Sequence, residues 1–89
     1  MKLQDVIYNW LQIRVVAEAR PDDRSAQETE QFFHSILKED HQVNEVAHAK
    51  VEDVYAVHYT IGEEEHTVTF DAEVIDSLLD AIQDEPKYQ

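Results

Sequence analysis

Carboxylates are the most abundant groups in this chain that could do chemistry. From residue 51 to residue 86 there is no Lys or Arg, yet this stretch holds eleven Asp and Glu side chains. Four acids recur at spacings of three and four residues: Glu73, Asp76, Asp80 and Asp84. This spacing places them along one side of a helix, where they could meet a basic protein surface. We predict a docking face there, and the alternative is a solvated outer face that keeps the protein soluble.

Histidines and nucleophiles show no catalytic or metal-binding pattern. The five histidines, at 34, 41, 48, 58 and 66, form no HxxxH or HExxH, and a metal site needs convergent ligands. The chain has no cysteine and therefore no disulfide. One glycine cannot build a phosphate-binding loop, and no serine lies in a nucleophile motif. We predict a protein that is not an enzyme and that uses no metal or other cofactor.

Hydrophobic periodicity predicts the helices that position these groups. Apolar residues at helical spacing predict a first helix at about 3–19. Ser25 and Glu28 fit a capping box and predict a second helix at about 26–41. Its expected apolar face is Ala26, Thr29, Phe33, Ile36 and Leu37. Asp71 is the predicted N-cap of a last helix, whose apolar stripe is Val74, Ile75, Leu78, Leu79 and Ile82.

Three strands are predicted between these helices, at about 45–51, 54–61 and 65–70, because apolar and polar residues alternate there. In the first strand the alternating apolar residues are Ala47, Ala49 and Val51. Glu52-Asp53 marks the first turn, and Gly62 fits the first central position of a type II′ hairpin. That turn pairs Val57 with Val68 and Tyr55 with Phe70. A longer loop through Glu65 would shift the pairing by two residues and keep the same faces.

The element order ααβββα predicts an α+β fold, with two N-terminal helices, a three-stranded antiparallel meander and a C-terminal helix. Residues 1–89 make one domain. The last five elements resemble a double-stranded RNA-binding domain in their order. Such a domain needs a basic start to its final helix, whereas this helix starts Asp71-Ala72-Glu73.

Charge excludes two classes of partner. The net charge of -13 repels nucleic acids and anionic membranes. No apolar run approaches the roughly 20 residues that span a bilayer, and the N-terminus has no signal-peptide core. We therefore predict a soluble, cytoplasmic protein.

The first helix is the other candidate interface. Residues 1–20 carry a net charge of +1, whereas residues 21–89 carry -14. Its apolar face is wide, and the candidates on it are Tyr8, Trp10, Val15 and Val16. These residues form either core or an interface, including that of a homodimer. The predicted function is a protein–protein interaction module, regulatory or adaptor, for a partner with a basic surface. The alternative is a small-molecule or cation site in the crevice between helices and sheet, lined by Tyr8, Tyr55, Tyr59 and the histidines.

Overall fold

The helices and strands follow the predicted order. The computed structural model describes residues 1–84. Its elements are α1 (Leu3–Ala19), α2 (Arg24–Asp40), β1 (Val43–Val51), β2 (Val54–Ile61), β3 (Glu64–Asp71) and α3 (Ala72–Asp84). The strands form one antiparallel sheet in the order β1-β2-β3. The predicted α+β arrangement is confirmed. Within residues 1–84, no helix has the length and hydrophobicity needed to cross a membrane.

Helix α1 is the element against which both other helices pack. Its buried residues are Val6, Ile7, Trp10, Leu11, Val15, Val16 and Ala17. Side chains of α1, of α2 and α3 and of the inner side of the sheet make one core around Leu11, Leu37, Val57 and Ile75, all of which are fully buried. The wide apolar face of α1 is thus used to join three neighbours, and its predicted bounds are confirmed.

Helix α2 begins two residues earlier than the predicted capping box requires. Asp23 is the N-cap and accepts a hydrogen bond from the amide of Ala26 at 3.1 Å. Its second oxygen accepts from Nε of Arg20 at 3.1 Å. These two bonds lower the pKa of Asp23. Ser25 therefore lies inside the helix, and the capping-box prediction is wrong. Asp23, held by Arg20 at the end of α1, caps the helix two residues before Ser25.

The register of the second hairpin is confirmed. Tyr55 pairs with Phe70 and Val57 with Val68. Within the two-residue turn Gly62-Glu63, the first residue has positive φ, +62°, and the second does not, as a type II′ turn requires. The longer loop is excluded.

Strand β1 faces the core with a different set of residues from the one its alternation suggests. A two-residue turn at Glu52-Asp53 pairs Lys50 with Tyr55 and Ala49 with Ala56. Because directly paired residues share a face, the inner residues of β1 are Val46, His48 and Lys50. Ala47, Ala49 and Val51 lie on the outer face and are exposed.

The two turns predict opposite effects of glycine on stability. Glu52 adopts φ +56°, which costs a residue with a side chain about 1–2 kcal/mol. After the entropy of the added glycine is counted, Glu52→Gly should raise the free energy of unfolding by roughly 0.5 kcal/mol. Gly62→Ala should lower it by about 1–2 kcal/mol. No atom lies within 4 Å of the added Cβ, so that loss is conformational.

Urea denaturation of both variants measures these changes. Equal destabilisation by Glu52→Gly and Gly62→Ala would contradict the assignment of backbone strain to Glu52.

Candidate functional site

The outer face of the sheet is not covered by any helix in the described part of the chain. We call it the open sheet face and define it by Ala47, Ala49, Val51, Val54, Ala56, His58, Thr60, Thr67 and Thr69. Val51 is 62% exposed and Val54 39%. The solvated face of an antiparallel sheet usually carries polar side chains. Here the central rows hold only alanine and threonine besides His58, and Val51 and Val54 lie at the turn end, which is the unusual feature of this surface.

Acids border the open sheet face at both ends. Glu45, Glu65 and Asp71 occupy the terminal positions on this side of the strands, and both turns carry further acids. The outward positions of the three strands hold no Lys or Arg. Lys50 points to the helical side, where its Nζ lies 2.9 Å from Asp76. The surface is therefore uncharged in the middle and negative at its ends.

Asp76 does not belong to a solvated acidic stripe. One carboxylate oxygen accepts from the Tyr55 hydroxyl at 2.7 Å and the other from Nζ of Lys50 at 2.9 Å. Burial opposes ionisation of Asp76, but the bonds from Tyr55 and Lys50 outweigh it and lower its pKa. Burial, followed by the bond to Asp76, raises the pKa of Tyr55. We call these three residues the Asp76 cluster, and it ties α3 to the sheet.

The other members of the predicted acidic stripe lie apart from this cluster. Glu73 and Asp80 are exposed. Asp84 is the last residue of α3, and its side chain lies outside the described part of the structure. A docking role for the α3 acids stays a prediction, now without Asp76.

The candidate residues of α1 are committed to the core. Trp10, Val15 and Val16 are 3%, 9% and 1% exposed. Tyr8 is half-buried and its ring packs on Phe70, with centroids 5.9 Å apart. Of the two interpretations of this helix, the structure supports core, because α1 has neighbours on three sides.

A buried acid accompanies Trp10. Oε2 of Glu30, a residue 8% exposed, accepts from the indole Nε1 at 2.9 Å and lies 3.7 Å from Arg14. Apolar periodicity predicted Thr29 on the buried face of α2, but Thr29 is exposed and Glu30 is buried. The sequence did point to Glu30, because it lies on the same side of the helix as Ala26 and Leu37. A buried indole N–H also needs an acceptor, which Glu30 supplies.

A groove runs between α2 and the sheet. It passes beside β1 and extends to β2 and β3, which contribute residues 58–60 and 65–67. Two adjoining clefts of about 670 and 540 Å³ share His34, Val46 and Ala47. From one end to the other, α2 contributes Lys38, His34, Gln31 and Glu30, and β1 contributes residues 44–48. The floor includes Trp10 and Tyr59, and the Tyr59 ring stacks on His66 at 5.1 Å. We call this the edge groove.

The edge groove is only part of the predicted ligand crevice. Tyr59 and four of the histidines line it, at 34, 48, 58 and 66, whereas Tyr8 and Tyr55 do not. His66 pairs with Tyr59 on the inner face, and His58 lies on the open sheet face, 2.9 Å from Thr67. In the described residues, no three His, Asp or Glu side chains are placed to hold a metal ion.

The Asp76 cluster predicts a specific loss of stability. Asp76→Asn should lower the free energy of unfolding by roughly 1–2 kcal/mol, because it weakens the hydrogen bond from Tyr55 to a charged acceptor. The ion pair with Lys50 adds little to this loss, since the Lys50 side chain is exposed. Asp80→Asn, an exposed acid on the same helix, should change it by less than about 0.5 kcal/mol.

The loss of stability in Asp76→Asn should become smaller as the pH falls. The pKa of Asp76 is lowered in the folded protein, so its contribution is complete above the unfolded pKa of about 3.9. It is lost as the pH falls through the lower, folded pKa. Wild type and Asp76→Asn should therefore converge in acid during urea melts. A constant difference down to the acid limit would contradict the cluster.

The comparisons with known proteins give no relative for this chain. No family model matches it, no curated protein matches it, and no solved structure matches it. Its function must therefore be argued from its own surfaces.

Proposed function

We propose that this domain acts by binding another protein through the open sheet face. The supporting observation is a solvent-facing sheet surface whose central rows are alanine and threonine with His58 and whose turn end exposes Val51 and Val54, in a chain with 30% charged residues. Exposed apolar side chains scattered singly are ordinary, whereas a contiguous patch marks an interaction surface. Small side chains also let a partner helix or sheet approach closely.

The partner should have an apolar centre flanked by Lys or Arg. Glu45, Glu65 and Asp71 lie where such a partner's rim would fall, and the net charge of -13 would steer a basic protein towards the domain. Rim charges act mainly on association rate and salt dependence. Binding should therefore weaken as ionic strength rises.

The size of the patch favours a transient complex. Three strands at a spacing of about 4.8 Å and eight residues of about 3.3 Å each give a face of roughly 14 by 26 Å. This projected area lies below the roughly 800 Å² per partner of a standard stable interface. A regulatory or adaptor role is compatible with contacts of this size. A second copy of the chain is a poorer fit, because it would bring the same acids against each other.

The small-molecule alternative rests on the edge groove. The stacked pair Tyr59 and His66 offers an aromatic platform, with His34 and Lys38 opposite. No observation selects a particular small ligand, so this alternative remains second. A cytoplasmic location is also part of the proposal, supported by a chain without cysteine, which suits a reducing compartment.

A charge placed in the centre of the open sheet face should abolish binding. Ala49 is exposed at this centre, so Ala49→Lys leaves the fold intact. In a complex it would bury an unpaired charge facing a basic partner. We expect at least a tenfold loss of partner recovered by affinity capture from the native cell, because such burial costs several kcal/mol.

The matched control is Ala81→Lys, the same substitution at an exposed position of α3. It should retain the partner recovered by the wild type. If Ala49→Lys recovers the same proteins in the same amounts as Ala81→Lys, the open sheet face is not the binding surface.

A further inference from the structure

We propose that the edge groove binds an extended, positively charged peptide segment, which adds to β1 as a fourth strand. The groove shares Ala47, His58, Thr60 and Thr67 with the open sheet face. Ala56 and Thr69 belong to that face alone, so binding at the two places can be told apart. The proposal rests on the free edge of β1, the position of α2 beside it and the charges that line the space between them.

The outer edge of β1 offers unpaired backbone groups. In the described residues the sheet has three strands, and β1 pairs only with β2. Val51 and Val54 flank a two-residue turn, and the pair beside such a turn exchanges both backbone hydrogen bonds. Bonded pairs then alternate along the strand. The N–H and C=O groups of Val46, His48 and Lys50 consequently point away from β2.

Such an edge is commonly protected by charge, proline or an inward turn. From Val46 to Ala49 the strand has neither a charged residue nor proline. The register shift between Val43 and Glu45 lies at its beginning and leaves the following residues regular. This part of β1 is therefore a template for another extended chain, which is the β-augmentation mode of peptide recognition.

Helix α2 forms the second wall of the site. It runs antiparallel to β1 along the groove, with Glu30 and Gln31 opposite the His48 end and Lys38 opposite the Asn44 end. Residues 44–48 span about 17 Å at 3.4 Å per residue. This length accommodates an extended segment of about five residues, whose alternate side chains would point between helix and sheet.

The charges of the groove select a basic segment. Glu18, Glu30, Glu45 and Glu65 line it, against Arg14 and Lys38. Arg14 is already engaged, since its Nε lies 3.1 Å from Glu18 and its guanidinium 3.7 Å from Glu30. Glu18 and Glu30 are therefore paired as well. In the described residues Glu45 and Glu65 have no ion-pair partner and stand against Lys38, so an added Lys or Arg side chain meets more unpaired acid than base. The rest of the domain adds a strong negative field.

The test uses a ten-residue peptide of alternating valine and lysine, with blocked termini, at 0.15 M salt. Its control is the same peptide with every backbone amide N-methylated, which keeps the side chains and charge and removes the donors. The unmethylated peptide should bind at least tenfold more tightly than the N-methylated control. In ¹⁵N-labelled protein, the largest amide shifts should fall at Val46, His48 and Lys50, whose amides face the free edge. The peptide should shift the same amides in Ala49→Lys, which alters only the open sheet face.

Four results would overturn the proposal. Equal binding of the two peptides would show plain charge attraction. Shifts centred on Ala56 and Thr69 would place the peptide on the open sheet face, and absence of binding at millimolar peptide would leave no site. If sedimentation equilibrium instead shows dimers whose formation buries the same amides, the occupant is a second copy of the chain, and the peptide proposal fails.

Discussion

Helix α1 contributes to both buried hydrophobic clusters of residues 1–84, and the other elements pack around it. Its apolar side chains touch α2, α3 and the sheet, so all three helices must lie on one side of three strands. In a small domain this side takes nearly all the apolar area that stabilises the fold. The opposite side of the sheet is left without a helix, and its alanines and valines remain in water.

The polar groups inside this arrangement are paired. Glu30 accepts from the Trp10 indole, and Asp76 accepts from Tyr55 and Lys50. In the described residues no buried side-chain nitrogen or oxygen lacks a partner. Both carboxylates join one helix to a different element, α2 to α1 and α3 to the sheet. They fix orientation in a thin core, where a few apolar contacts would leave the helices free to slide.

The sequence predicted the elements well and the faces less well. The bounds of α1, the Asp71 cap, at 2.9 Å from the Glu73 amide, and the pairing of Tyr55 with Phe70 followed from local rules. Alternation misled for β1, because alanine and valine there lie on the outer face, while Lys50 lies on the helical side and pairs with Asp76. The register could have revealed this, since a two-residue turn at Glu52 already forces Lys50 opposite Tyr55. The role of Asp76 could be seen only in the tertiary structure. In the sequence it has the same helical spacing as the exposed acids Glu73 and Asp80, and nothing local marks it as different.

The central claim is that the open sheet face, and not the acidic helix, carries the contact with a protein partner. The most direct measurement is methyl cross-saturation NMR on the domain bound to its captured partner. Methyl groups of Ala47, Ala49, Val51, Val54 and Ala56 should lose intensity, while Val74, 48% exposed on α3, should keep it. Loss at Val74 and Ala81, with the sheet methyls unchanged, would contradict the account.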